Sequence, residues 1–206
     1  MDLANIPETW LDDEDTDDPK VYEFLRAGNT ANVFQMHKFT PTAMIKDFNV
    51  NNLEGLTAVN AGNRPGPLAK GDDGKSMVDR YSEVVKTGEI PSLDPRIDYI
   101  FAPTNGQMWY QEQLQELGRV MAGYSLGDAD LRIRKTVAKK DRKKIPEIRN
   151  EFVYGKKSLY DKDGNVIGIS EEDSPYCIGA IRNGFSEELA LKLFTDMEAF
   201  ASYCFE

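Results

Sequence analysis

Cysteine, histidine and long apolar runs are what this sequence has least of. Its 206 residues hold two cysteines, Cys177 and Cys204, and one histidine, His37. Two thiols make no disulfide framework, so a reducing cytoplasmic setting is expected. One imidazole leaves a structural zinc site short of soft ligands. A Ser–His or Cys–His pair would have to use His37, and no nucleophile turn lies near it. No run reaches the roughly 18 apolar residues of a membrane span. The opening MDLANIPETW has neither a basic stretch nor an apolar one, so no secretory signal is expected. Neither a cofactor nor a metal is implied.

Charge, in contrast, is abundant and unevenly placed. The chain carries 35 acids against 25 bases, a formal charge of −10. Residues 1–18 hold eight acids and no base, ending in Leu11-Asp12-Asp13-Glu14-Asp15-Thr16-Asp17-Asp18. Such a run repels itself, which predicts a flexible acidic arm followed by a single domain over 19–206. Trp10 and Leu11 interrupt the acids, and an aromatic beside an acidic run suits a short docking peptide. The block Arg132–Arg149, RIRKTVAKKDRKKIPEIR, has nine of the bases and only two acids, Asp141 and Glu147. It therefore carries +7 inside a remainder of −17.

The apolar spacing predicts an α+β fold, mainly helical. A helix capped by Asp18 and opened by Pro19 runs to Gly28, and a second starts near Thr40-Pro41. From about 49 to 75 the chain is rich in Asn, Gly and Pro and predicts an irregular, extended segment. Ser76 caps a helix that Gly88 ends, with Met77, Val78, Tyr81, Val84 and Val85 on one stripe. Ile97–Phe101 suits a short strand. The periodicity then predicts helices over about 106–122 and about 128–144, the second stopped by Pro146. Asp163-Gly164 marks a β-hairpin near 152–169 with a type I′ turn. Ser186 caps a closing apolar helix.

Three patterns bear on chemistry. Ala69–Ser76, AKGDDGKS, resembles a phosphate loop, with Lys75 for the phosphates and Ser76 for magnesium. No buried strand precedes it, and Asp72 and Asp73 would oppose the anion. Asp161, Asp163 and Asn165 have calcium-loop spacing, but Val166 stands where the loop needs Gly, and a hairpin explains the residues as well. In the basic block, Arg132, Lys135, Lys139 and Arg142 align on one face of an α-helix. That face suits phosphates or an acidic protein surface, including the chain's own residues 12–18. Aromatics for single-strand stacking are missing from 132–149.

These features predict a non-enzymatic interaction, assembly or linker subunit. It would dock on a protein partner, or on copies of itself within a larger assembly, through Trp10, Leu11, Arg132, Lys135, Lys139 and Arg142. A nucleic-acid accessory role through 132–144 is the first alternative. A nucleotide-dependent enzyme using Lys75 and Ser76 is the second.

Overall fold

The computed structural model describes residues 18–71, 73–135 and 143–203. Among these the protein is mainly helical with one two-stranded antiparallel sheet, as the periodicity predicts. It divides into two compact units, residues 1–89 and 90–206.

In the N-terminal unit, α1 (Pro19–Arg26) begins where expected, with the Asp18 carboxylate accepting from Lys20 N at 2.9 Å. α2 spans Phe39–Asp47. The connection between them is tied down by Thr30, buried, whose hydroxyl lies 2.8 Å from that of Thr42. Thr42 Oγ1 also reaches Met36 O at 2.9 Å and Lys38 O at 2.8 Å. The segment expected to be irregular at about 49–75 contains two helices instead, α3 (Leu53–Gly62) and α4 (Pro65–Leu68). The local signals for α3 are a capping Asn52, whose Oδ1 accepts from Gly55 N at 2.7 Å, and a buried run of Ala58, Val59 and Ala61. Burial of those small residues overrides the weak helix propensity of Asn and Gly. α5 (Met77–Thr87) has a Ser76–Asp79 capping box and ends at Gly88 in the left-handed region, φ +73°. Its Tyr81 ring meets Phe48 at 4.1 Å between centroids.

In the C-terminal unit the predicted strand at 97–101 is helix α6 (Asp98–Phe101). Asp94 O accepts from both Ile97 N and Asp98 N, winding the run into a turn that buries Ile97, Ile100 and Phe101 together. α7 (Gln111–Leu117) starts later than the pattern predicts, because Asn105 and Gly106 both take positive φ. The buried Gln113 side chain holds that start: its Oε1 accepts from Trp109 N at 2.8 Å and Tyr110 N at 2.9 Å. α7 continues as a π-helical segment over Gly118–Ala122. α8 (Leu126–Asp128), capped by Ser125, likewise runs into π-helical Ala129–Arg134. Gly118 lets these segments approach, since a Cβ there would meet Ile133 Cγ1 at 3.0 Å.

Residues 136–142, where the basic helix would continue or end, lie outside the described residues, and beyond them stands Pro146. It sits in the first turn of a new one, α9 (Ile145–Tyr154), where its missing N–H costs nothing. The hairpin is β1 (Lys156–Tyr160) with β2 (Val166–Asp173), so residues 152–154 belong to α9 rather than to the strand. Its loop is wider than a type I′ turn. Asp161 N donates to Asn165 O at 2.9 Å, and the Asp161 carboxylate accepts from Asp163 N, Asn165 N and Asn165 Nδ2. Those bonds use the carboxylate that a calcium ion would need. α10 (Glu187–Tyr203) closes the unit, and Leu193, Phe194 and Met197 join Phe152, Leu114, Leu117 and Met121 in one core. Among the described residues no helix is long and apolar enough to cross a membrane.

Candidate functional site

The strongest sequence feature, the basic block, is anchored at its start by Arg132. The guanidinium does not face outward with its helix neighbours. Nε donates to Glu151 Oε2 at 2.7 Å, and Nη2 donates to Glu151 Oε1 at 2.5 Å and Glu147 Oε1 at 3.0 Å. Its Cζ lies 3.6 Å from the Tyr176 ring centroid. Glu151 is 2% exposed and also accepts from Tyr124 OH at 3.2 Å. Burial pushes its carboxyl up, against the pull of Arg132. Burial likewise pushes up the Tyr124 hydroxyl, and the Cys177 thiol to about 11. This is a paired internal charge, open to a cavity of about 260 Å³ that Lys157, Ser158 and Tyr160 also line.

The expected alignment of Arg132 with Lys135 fails for a geometric reason. The π-helical segment bonds i to i+5, which widens the turn, so residues three apart no longer share a face. The next two bases turn to Asp130 instead. Arg134 Nε reaches Asp130 Oδ1 at 2.5 Å and Lys135 Nζ reaches Oδ2 at 3.1 Å. The two cations hold the Asp130 carboxyl down to about 2, Arg134 contributing most. One acid thus answers two bases, which leaves a net positive surface. Lys139 and Arg142 lie outside the described residues, as do Trp10, Leu11 and the acidic run before Asp18. Beyond that gap Lys143 and Lys144 are exposed.

Lys75 and Ser76 are brought together in the N-terminal unit, but by the loop's own chemistry. Lys75 Nζ donates to Glu83 at 2.6 Å, and Ser76 Oγ accepts from Asp79 N at 3.0 Å. Asp73 pairs with Arg80 at 2.8 Å. The element before the loop is α4, not a strand.

Two π-helical segments, Gly118–Ala122 and Ala129–Arg134, stand in the same unit as the paired Arg132, and π-helical turns gather at functional sites. A family described as "Bacterial DNA polymerase III alpha subunit finger domain" matches residues 4–159. The chain belongs to that family. It is 30% identical to the DNA polymerase III subunit alpha of Aquifex aeolicus over 191 residues, 92% of this chain and 14% of that protein. The Thermus aquaticus subunit is 32% identical, over 92% of this chain and 13% of its own length. The Helicobacter pylori subunit is 34% identical over 70% of this chain and 12% of its own. The chain thus spans about one seventh of the curated relatives it matches.

This membership overturns the expected non-enzymatic assembly or linker subunit. The relatives are polymerase subunits, and the family is a domain of that subunit. The expectation that the chain has no part in an enzyme falls with it. A stretch without a catalytic constellation can still be part of an enzyme. A module that positions a substrate needs no nucleophile or acid–base pair of its own.

Proposed function

We propose that the chain is part of the catalytic subunit of a DNA polymerase, and that its basic segment meets the phosphates of DNA. The observation that carries this is the family match across 4–159, a span that includes the +7 block. Arg132, paired inward, positions the segment. Lys135, Lys139 and Arg142 supply charge that phosphates neutralise with release of counterions. DNA is then the principal partner, and as a subunit the whole protein works with other chains. A cytoplasmic location accords with this role and with the few cysteines.

The test is binding of a labelled primer–template duplex by the chain and by Lys139→Glu/Arg142→Glu. Loss of two phosphate contacts lowers the slope of log affinity against log salt by about 1.8, at roughly 0.9 per contact. Placed in the whole subunit, the same pair lowers primer extension. An unchanged slope and unchanged extension would remove the segment from the interface.

A further inference from the structure

The N-terminal unit holds a second basic site, with the opposite electrostatic design. Gln35, His37, Lys38, Asn60, Asn63 and Arg64 line a cavity of about 440 Å³, within the usual size of a ligand site. Among the described residues no carboxylate lines it. Among the described residues none of these six side chains makes a hydrogen bond or ion pair. The walls are nonetheless built. Asn60 and Asn63 are three apart at the end of α3, half-buried on one face. Thr30 and Thr42 fix the opposite wall, where Gln35 takes a left-handed backbone, φ +59°. Two cations, an imidazole and three amides converge on a space without a counterion, which is the donor set for an anion.

The cavity is flanked in the chain by two aromatics that the core does not use. Phe34, next to Gln35, is 79% exposed, and Phe39, next to Lys38, is 88% exposed. Aromatic rings left in water beside a basic groove serve as platforms for unpaired bases. This is the interleaving that residues 132–149 lack.

We propose that this face binds single-stranded DNA, with a backbone phosphate between Lys38 and Arg64, amides from Asn60 and Asn63 on its oxygens, and bases stacked on Phe34 and Phe39. The choice of DNA as the polyanion rests on the polymerase reading; the site itself rests on the cavity and the two rings.

Fluorescence anisotropy with the whole chain and a labelled thymidine oligonucleotide of about ten residues, within the reach of one single-strand module, tests it. Lys38→Ala/Arg64→Ala should weaken binding about tenfold and lower the salt slope by about 1.4, at roughly 0.7 per contact on a single strand. Phe34→Ala/Phe39→Ala should weaken it about tenfold or more while leaving that slope unchanged. All four residues are exposed, and circular dichroism checks that the variants fold. Wild-type affinity and slope in the basic pair variant overturn the site. So does a loss confined to that variant, which marks an anion pocket without stacking, and so does equal affinity for a poly-glutamate peptide. Any of these results leaves the polymerase reading standing if the primer–template still binds through Lys139 and Arg142. No binding of either DNA overturns both.

Discussion

Two basic clusters, one in each unit, treat positive charge in opposite ways. In the C-terminal unit Arg132 is spent on folding: two carboxylates and a tyrosine ring account for it. In the N-terminal unit Lys38 and Arg64 stand beside a cavity that no acid lines among the described residues. The first arrangement ties α9 to the π-helical segment that carries Arg132. The second leaves its cations for something outside the chain. A basic residue's place in the sequence says little about which of these it does; the carboxylates opposite it decide.

The contrast is tested most sharply at Arg132. Arg132→Ala leaves Glu151 buried with its charge unanswered, and losing one partner of a buried pair costs about 3–5 kcal/mol. Trp109, buried in the same unit, reports the transition by fluorescence in a Trp10→Phe background, read as the urea midpoint. Arg132→Met/Glu151→Gln, which removes both charges at similar volume, should recover most of the loss. A single variant as stable as the parent would show that the pair is not internal.

A smaller effect is expected from acid. Arginines hold Asp94, Glu116 and Asp130, all in the C-terminal unit, to about 2 each, chiefly by hydrogen bonds from Arg96, Arg119 and Arg134. A carboxylate lowered in the folded state contributes stability above its unfolded pKa and loses it as pH falls through the folded one. Glu151, raised by burial, has the opposite sign: its share is present at low pH and is lost as pH rises through its folded pKa. Asp98, Asp161, Glu172 and Asp173 are also lowered, and Glu198 is also raised by burial; the lowered carboxyls outnumber the two raised, so the midpoint should fall between about pH 5 and pH 2. The arginine pairs are partly exposed, so salt should blunt the fall. A midpoint that rises on acidification would mean that the buried Glu151 and Glu198 dominate.

What was legible in the sequence were elements whose ends are written in side chains. Asp18-Pro19, Ser76 with Gly88, and Ser186 each mark a helix boundary that the structure keeps. α3 was not legible, because Asn, Gly and Ala gain their helix from burial rather than propensity. The strand expected at 97–101 failed because an apolar run of five fits a turn of helix as well as an extended one. At the site, the basic block was visible as charge, but the inward turn of Arg132 depends on a π-helical segment that no α-helical spacing reveals. The unpaired cluster in the N-terminal unit joins residues 35–38 to 60–64 across a fold that linear spacing does not display. Its one linear signal was Phe34 and Phe39 on either side of His37-Lys38, an aromatic–basic interleaving that draws less notice than a run of lysines.

The smallest expected effect is the one that separates the two designs most cleanly. Lys38→Ala/Arg64→Ala, which should weaken DNA binding, should leave folding stability within about 0.5 kcal/mol of the parent, as for surface positions with no internal partner. At low salt the change should even be slightly stabilising, because two like charges around one cavity repel and the protein gives them no acid in return. Salt should erase that gain, since exposed charges are screened within about 10 Å at roughly 0.1 M. The measurement is the urea midpoint of parent and variant at low and at physiological salt. A loss of more than about 1 kcal/mol would place these cations with Arg132 as structural groups, and the contrast between the two units would then disappear. A stability indifferent to the change, beside a binding affinity that depends on it, is the signature of charge held in reserve for a ligand.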